Sequence, residues 1–111
     1  MKSPTPIAQI AATGRFVPDC VVTNDDLAKR MDTSDEWIRT RTGIRERRIA
    51  PKEMTAADMG AASARVAMER AGVEPGEVDI LVLSTATPDR WLPSTACDTQ
   101  ALLGCNNAVA F

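Results

Sequence analysis

Apolar and small or polar positions alternate loosely over residues 6–13, PIAQIAAT, and the run stops at Gly14, which predicts a strand entering a turn. A loop with Pro18 follows. Thr23 or Asn24 can then cap a short helix over residues 25–31, DDLAKRM, with acids in its first turn and bases in its last, as the helix dipole favours. A helical period returns at residues 55–71. Thr55 and Asp58 form a T-x-x-D cap, Met59, Ala62, Val66 and Ala67 make a small-residue stripe, and Gly72 supplies the stop. Pro75-Gly76 reads as a turn. The apolar run from Val78 to Ser84 reads as a strand covered on both faces, the kind found in parallel or mixed sheets. Ser94 caps a further helix, TACDTQALL, which ends at Gly104, and NNAVAF, residues 106–111, predicts one more strand.

The resulting order, strand, helices, strand, helix, strand, belongs to an α/β layered structure. At 111 residues there is room for one core, so one unit is expected, and 44 % apolar with 25 % charged residues excludes disordered and fibrous classes. The opening MKSPTPIAQIAATG is interrupted by Gln9 and lacks the continuous apolar core of a secretory signal, and no run reaches the roughly 18 apolar residues of a membrane span. The expectation is therefore a cytoplasmic protein with neither membrane nor nucleic acid as a partner. Cys20, Cys97 and Cys105 are odd in number and form no CxxC pair, which predicts structural thiols rather than disulfides or a metal site. Cys97 falls in the first turn of a predicted helix, where a thiol pKa is lowered, yet the chain contains no His to serve as its base. No catalytic residue is therefore assigned within these 111 positions.

Residues 32–48, DTSDEWIRTRTGIRERR, carry the strongest local pattern. Thr33 and Glu36 make a T-x-x-E capping box, so the acids of residues 32–36 start a helix, and Thr42 and Gly43 end it. Trp37 and Arg41 are four apart and share a face. From Arg39 to Arg48 five arginines stand against one glutamate, a local +4 in a chain of net −2, so the remainder sums to −6. An indole beside a guanidinium can sandwich a flat heteroaromatic ring, and forked arginine donors suit phosphates. A nucleotide-like ligand fits this pattern. So does a plainer arrangement, with Trp37 anchoring the helix in the core and the arginines solvating a face. A second constellation, Thr87-Pro-Asp-Arg-Trp-Leu-Pro93, reads as a rigid loop between a strand and a helix.

DTSDEWIRTRTGIRERR, with the upstream TNDDL and the downstream STATPDRWLPSTAC, resembles the N-terminal part of β-ketoacyl-acyl carrier protein synthase III, the thiolase-fold enzyme that starts bacterial fatty acid synthesis. The resemblance runs from about Ile7 to the last residue. It implies part of the first half of a five-layer αβαβα duplicated architecture, with residues 1–111 as an incomplete N-terminal segment. It also implies that Thr33, Trp37, Arg41 and Thr42 line a coenzyme A entrance, the indole and guanidinium flanking adenine. Leu92, just before the second proline, would reach across a dimer interface to close the partner's acyl pocket, and Trp91 beside it would either pack at that interface or shield the loop. Relatives that take acetyl primers often have a bulky aromatic residue where Leu92 stands, which leaves primer length open. Arg45, Arg47 and Arg48 could meet phosphates or the acidic surface of acyl carrier protein.

The implied chemistry is a decarboxylative Claisen condensation of an acyl-coenzyme A primer with malonyl-acyl carrier protein. The coenzyme A thioester enters as substrate, and no separate cofactor or metal is involved. The resemblance puts the nucleophilic cysteine a few residues beyond the position of Phe111, and the His and Asn much later. The expected assembly is a homodimer formed with the remainder of the enzyme. Two other functions are compatible with the residues: a related condensing enzyme acting on long-chain primers or in secondary metabolism, and a non-catalytic module that binds coenzyme A or acyl carrier protein.

Overall fold

The computed structural model describes residues 8–111. These divide into two compact units, residues 17–55 and residues 8–16 with 56–111.

In the unit of residues 17–55, strand β1 (Cys20–Thr23) leads directly into helix α1 (Asn24–Ala28). Thr23 caps α1: its hydroxyl accepts from the Asp26 N–H while the Asp26 carboxylate accepts from the Thr23 N–H, which joins the two elements with no linker. The Asp26 carboxyl is held far below the usual carboxylate range, first by the hydrogen bond from Lys29 and then by those from Thr23. Helix α2 (Asp35–Thr42) ends at Gly43, whose φ of 73° is a left-handed conformation that costs glycine little. Strand β2 (Glu46–Ile49) then returns antiparallel to β1, with Cys20 opposite Ile49 and Thr23 opposite Glu46. Neither strand was predicted, because CVVT and ERRI are short and their pairing is non-local. Cys20 lies exposed on β1 as a free thiol, so the expected structural role does not hold there.

Asn24 holds this unit together. It is 1 % exposed and fully bonded: its amide donates to Asp35 Oδ1 and to the Ile44 carbonyl, each at 2.8 Å, and its oxygen accepts from Arg47 at 2.7 Å. One short side chain therefore ties α1 to the start of α2 and to both sides of the turn into β2. Ile38 is the buried apolar residue of α2.

In the other unit, helix α3 (Ala56–Ala71) packs on helix α4 (Thr95–Leu103), and strands β3 (Ile80–Leu81) and β4 (Val109–Ala110) pair in parallel. A 3-10 turn at Pro75–Glu77 confirms the predicted turn before β3. Hydrogen bonds from Val109 N to Asp79 O and from Leu83 N to Phe111 O carry the ladder beyond the strand ends. The core is small: Ala61, Leu103, Cys105 and Ala108, with Ala64, Met68, Val78 and Leu81 against it. Small residues let α3 approach its neighbours closely; a Cβ on Gly60 would stand 3.1 Å from Leu83 Cδ1 and 3.5 Å from Thr99 Oγ1 on α4. The predicted stripe on α3 was out of phase. The most buried residues of α3 are Ala57 and Ala61, outside the predicted set, whereas Ala67 of that set meets the preceding chain at Gly14.

That preceding chain is the segment predicted as a strand over residues 6–13. Pro6 and Ile7 lie outside the described residues, and residues 8–13 form no ladder. The segment instead lies along α3: Ile10, Ala11 and Ala12 line an apolar groove with Ala67, Met68 and Ala71, and Arg70 donates to the Thr13 carbonyl at 2.9 Å. Gly14 is required here because a Cβ would come within 2.2 Å of the Ser63 carbonyl oxygen.

Among the described residues, the strand predicted to be covered on both faces is packed on one. Leu81 and Leu83 turn toward the helices, whereas Ile80, Val82, Val109 and Phe111 are 61, 75, 56 and 61 % exposed. A pleated strand presents successive residues to opposite faces, and nothing in these residues packs on the second face. Helix α4 begins and ends as expected, between Ser94 and Gly104, but the Ser94 hydroxyl makes no cap bond and lies 3.4 Å from Cys97 Sγ. Among the described residues, no helix is long and apolar enough to cross a membrane, and no group of His, Cys, Asp or Glu is placed to hold a metal ion.

Candidate functional site

Helix α2 begins one residue later than its acidic sequence suggests. The cap is Ser34, not Thr33: the Ser34 hydroxyl accepts from the Trp37 N–H at 3.1 Å. Both residues have a suitable hydroxyl, and the tie from Asn24 to Asp35 sets Asp35 at the first turn, which favours Ser34. Thr33 is left half-buried beside the helix start. With Asp32, Ser34 and Trp37 it lines an open depression of about 310 Å³. Trp37 is 53 % exposed, so it is not the core anchor; the next residue, Ile38, is.

Arg41 lies one turn beyond Trp37, and its guanidinium carbon stands 4.8 Å from the centre of the indole ring. Two stacking distances of about 3.5 Å would be needed to admit a flat ring between them. The pair is therefore closed on itself rather than open as a sandwich. Thr42, the last of the four expected contacts, has a committed hydroxyl: it donates to the Ile38 carbonyl at 2.7 Å and accepts from the Ile44 N–H at 3.1 Å. It closes the end of the helix. The structure thus gathers Thr33 and Trp37 at one depression, sets Arg41 on the indole, and uses Thr42 in the C-terminal turn.

The arginines separate into two groups. Arg39 pairs with Asp35 at 3.1 Å, Arg47 donates to Asn24 and to the Val22 carbonyl, and Arg48 reaches the Pro18 carbonyl and Glu46. These three are occupied with the fold. Arg41 and Arg45 are exposed and form no ion pair among the described residues, so they are the cations available to an anion. An indole face, two unpaired guanidinium groups and a depression with hydroxyls can together bind a flat aromatic group that carries anions.

The second constellation lies in the other unit, in the loop between β3 and α4. Asp89 accepts from the first two N–H groups of α3, Ala56 at 2.7 Å and Ala57 at 3.0 Å, and so satisfies donors that a helix start leaves free. Arg90 pairs with Asp98 on α4. Beyond these anchors, Trp91 and Leu92 are 91 and 85 % exposed, and the Leu92–Pro93 peptide is cis. Trp91 helps to line an open depression of about 140 Å³ with Leu83, Thr85, Pro88 and Phe111; Leu92 is outside that lining. No sequence pattern pointed to the Asp89 carboxylate, whose partners are 33 and 32 residues away. Asn24 was legible only as a possible cap. Cys105 is fully buried and Cys97 half-buried, in keeping with structural thiols.

Comparison with known proteins agrees with this architecture. No family model matches the chain. The β-ketoacyl-[acyl-carrier-protein] synthase III of Geobacillus kaustophilus is 52 % identical over 103 residues, which is 93 % of this chain and 33 % of that protein. The crystal structure of 3-oxoacyl-[acyl-carrier-protein] synthase III from Aquifex aeolicus superposes with a TM-score of 0.86 at 48 % identity, covering 92 % of this chain and 33 % of that one. The priming β-ketosynthase from the R1128 polyketide pathway gives 0.87 at 40 % identity, with 93 % and 31 % covered. The chain spans about a third of the length of the curated relatives it matches. Its fold is accordingly part of an α/β thiolase-like fold. By sequence and by fold, the chain matches a third of the length of the β-ketoacyl-acyl carrier protein synthase III proteins, and it is a fragment similar to them over that third.

Proposed function

We propose that this chain is the part of a ketoacyl synthase III that receives coenzyme A, in an enzyme that condenses an acyl-coenzyme A primer with malonyl-acyl carrier protein to begin fatty acid synthesis. A cysteine outside these residues takes the acyl group and releases coenzyme A. Decarboxylation of the malonyl thioester then generates the carbanion that attacks the acyl-cysteine, releasing carbon dioxide, the β-ketoacyl product and the free thiol. The chain's own share is binding: Trp37 offers a face to adenine, Arg41 and Arg45 answer its phosphates, and Thr33 lines the depression beside the indole. The coenzyme A thioester is substrate, and no further cofactor is invoked. Leu92 and Trp91 form the loop tip that would meet the acyl pocket and a second subunit of a cytoplasmic homodimer.

The observation that carries this reading is identity of about half, along nearly the whole chain, to proteins bearing the synthase III name. It favours fatty acid initiation over a condensing role in secondary metabolism. The test is a condensation assay on the intact protein with malonyl-acyl carrier protein and a panel of acyl-coenzyme A primers. Replacing Trp37 by Ala is expected to weaken coenzyme A by roughly 1 to 3 kcal/mol, the usual contribution of a base stacked on an aromatic side chain. Absence of condensation with every primer would overturn the activity, and unchanged coenzyme A affinity in the folded variant would overturn the site.

A further inference from the structure

We propose that Arg41 is an exchange residue. It covers the indole of Trp37 while the site is empty, and it leaves for a phosphate when an adenine nucleotide takes its place. This rests on the reading of Trp37 as the adenine contact and adds how that contact is made.

Three observations carry it. The Arg41 guanidinium is stacked on the Trp37 ring, 4.8 Å from its centre, so that face of the indole is occupied. Arg41 has no carboxylate to hold it: of the two acids on the same helix, Asp35 is shared by Arg39 and Asn24 and Glu36 forms no ion pair among the described residues, and Glu46 pairs with Arg48. Both members of the pair are exposed, beside an open depression lined by Asp32, Thr33, Ser34 and Trp37.

The energies favour exchange in one direction. An exposed cation–π contact contributes about 0.5 to 1 kcal/mol, whereas a charge-assisted bond to phosphate contributes more, about 1.5 to 3 kcal/mol. A base without phosphate gains its own stack on the indole but gives the displaced Arg41 no new partner. A base with phosphates displaces it and then binds it. The pair would thus discriminate for phosphorylated adenine ligands before any condensation occurs.

The test compares adenosine with adenosine 3′,5′-bisphosphate, measured by calorimetric titration of the intact protein and its Arg41→Met and Trp37→Ala variants. For Arg41→Met, adenosine is expected to bind about two- to fivefold more tightly, because the competing stack is gone. The bisphosphate is expected to bind about tenfold more weakly or worse, because a charged partner is lost. Opposite signs are the signature. If both ligands weaken by the same factor in Arg41→Met while Trp37→Ala also weakens both, the nucleotide site stands and the exchange is wrong. If Arg41→Met changes neither ligand, Arg41 is outside the site and the exchange is wrong. If Trp37→Ala leaves both ligands unaffected in a folded protein, the nucleotide site itself is wrong and the exchange falls with it.

Discussion

Asn24 has the largest consequence of any single side chain in the unit of residues 17–55. Its three side-chain bonds reach Asp35, Ile44 and Arg47, and the residue is almost fully enclosed. Asn24→Ala would leave a carboxylate, a carbonyl and a guanidinium short of a partner at once. Each orphaned group costs about 1 to 3 kcal/mol when buried, and these are partly exposed, so a combined loss of about 2 to 4 kcal/mol is expected in urea unfolding. Asn24→Asp should not restore it, because the two donors are gone and a second carboxylate then faces Asp35. A loss below about 1 kcal/mol in both variants would show that water replaces the amide. Asn24 also shows the limit of local reading. Its place at the junction of strand and helix was legible from the capping pattern, but its partners lie 11, 20 and 23 residues away.

At the scale of elements, α2 decides the candidate site because its starting residue sets which side chains line the depression. Thr33 and Ser34 are both plausible caps by type, and the structure uses Ser34. Ser34→Ala is therefore expected to cost about 1 kcal/mol of stability, and Thr33→Ala only a few tenths, in paired thermal or urea unfolding. The reverse order would restore Thr33 as the cap. The helix itself, its acidic start and its glycine end were all readable from residues 32–43, since caps are local. The strand β2 that follows was not, because ERRI owes its conformation to pairing with β1 across the whole of α1 and α2. The same pairing engages Arg47 and Arg48 in the fold and leaves Arg45 out, so a basic run that looks uniform in sequence does two different jobs.

At the scale of the molecule, the unit built on α3 and α4 presents one finished face and one open one. Ile80, Val82, Val109 and Phe111 form an exposed apolar row on adjacent parallel strands, a surface of a kind that usually marks an interface. These 111 residues expressed alone are expected to self-associate, and Val82→Lys with Phe111→Lys should shift them toward monomer in sedimentation velocity. A monomer without the substitutions would mean that the open face is tolerated in water.

What the sequence by itself determined was whatever depends on neighbours within one or two turns: three helices with their glycine ends, the turn at Pro75, the indole and guanidinium on one helical face, and a motif specific enough to indicate the family. Tertiary structure decided the rest. It chose Ser34 over Thr33, laid residues 8–13 along a helix instead of in a sheet, put Asp89 at the start of α3, and closed Arg41 onto Trp37. The physical reason is the same in each case. A cap or a helical period is set by the chain's own adjacent backbone, whereas a ladder, an anchoring carboxylate or an empty binding face depends on which distant group the fold brings to it.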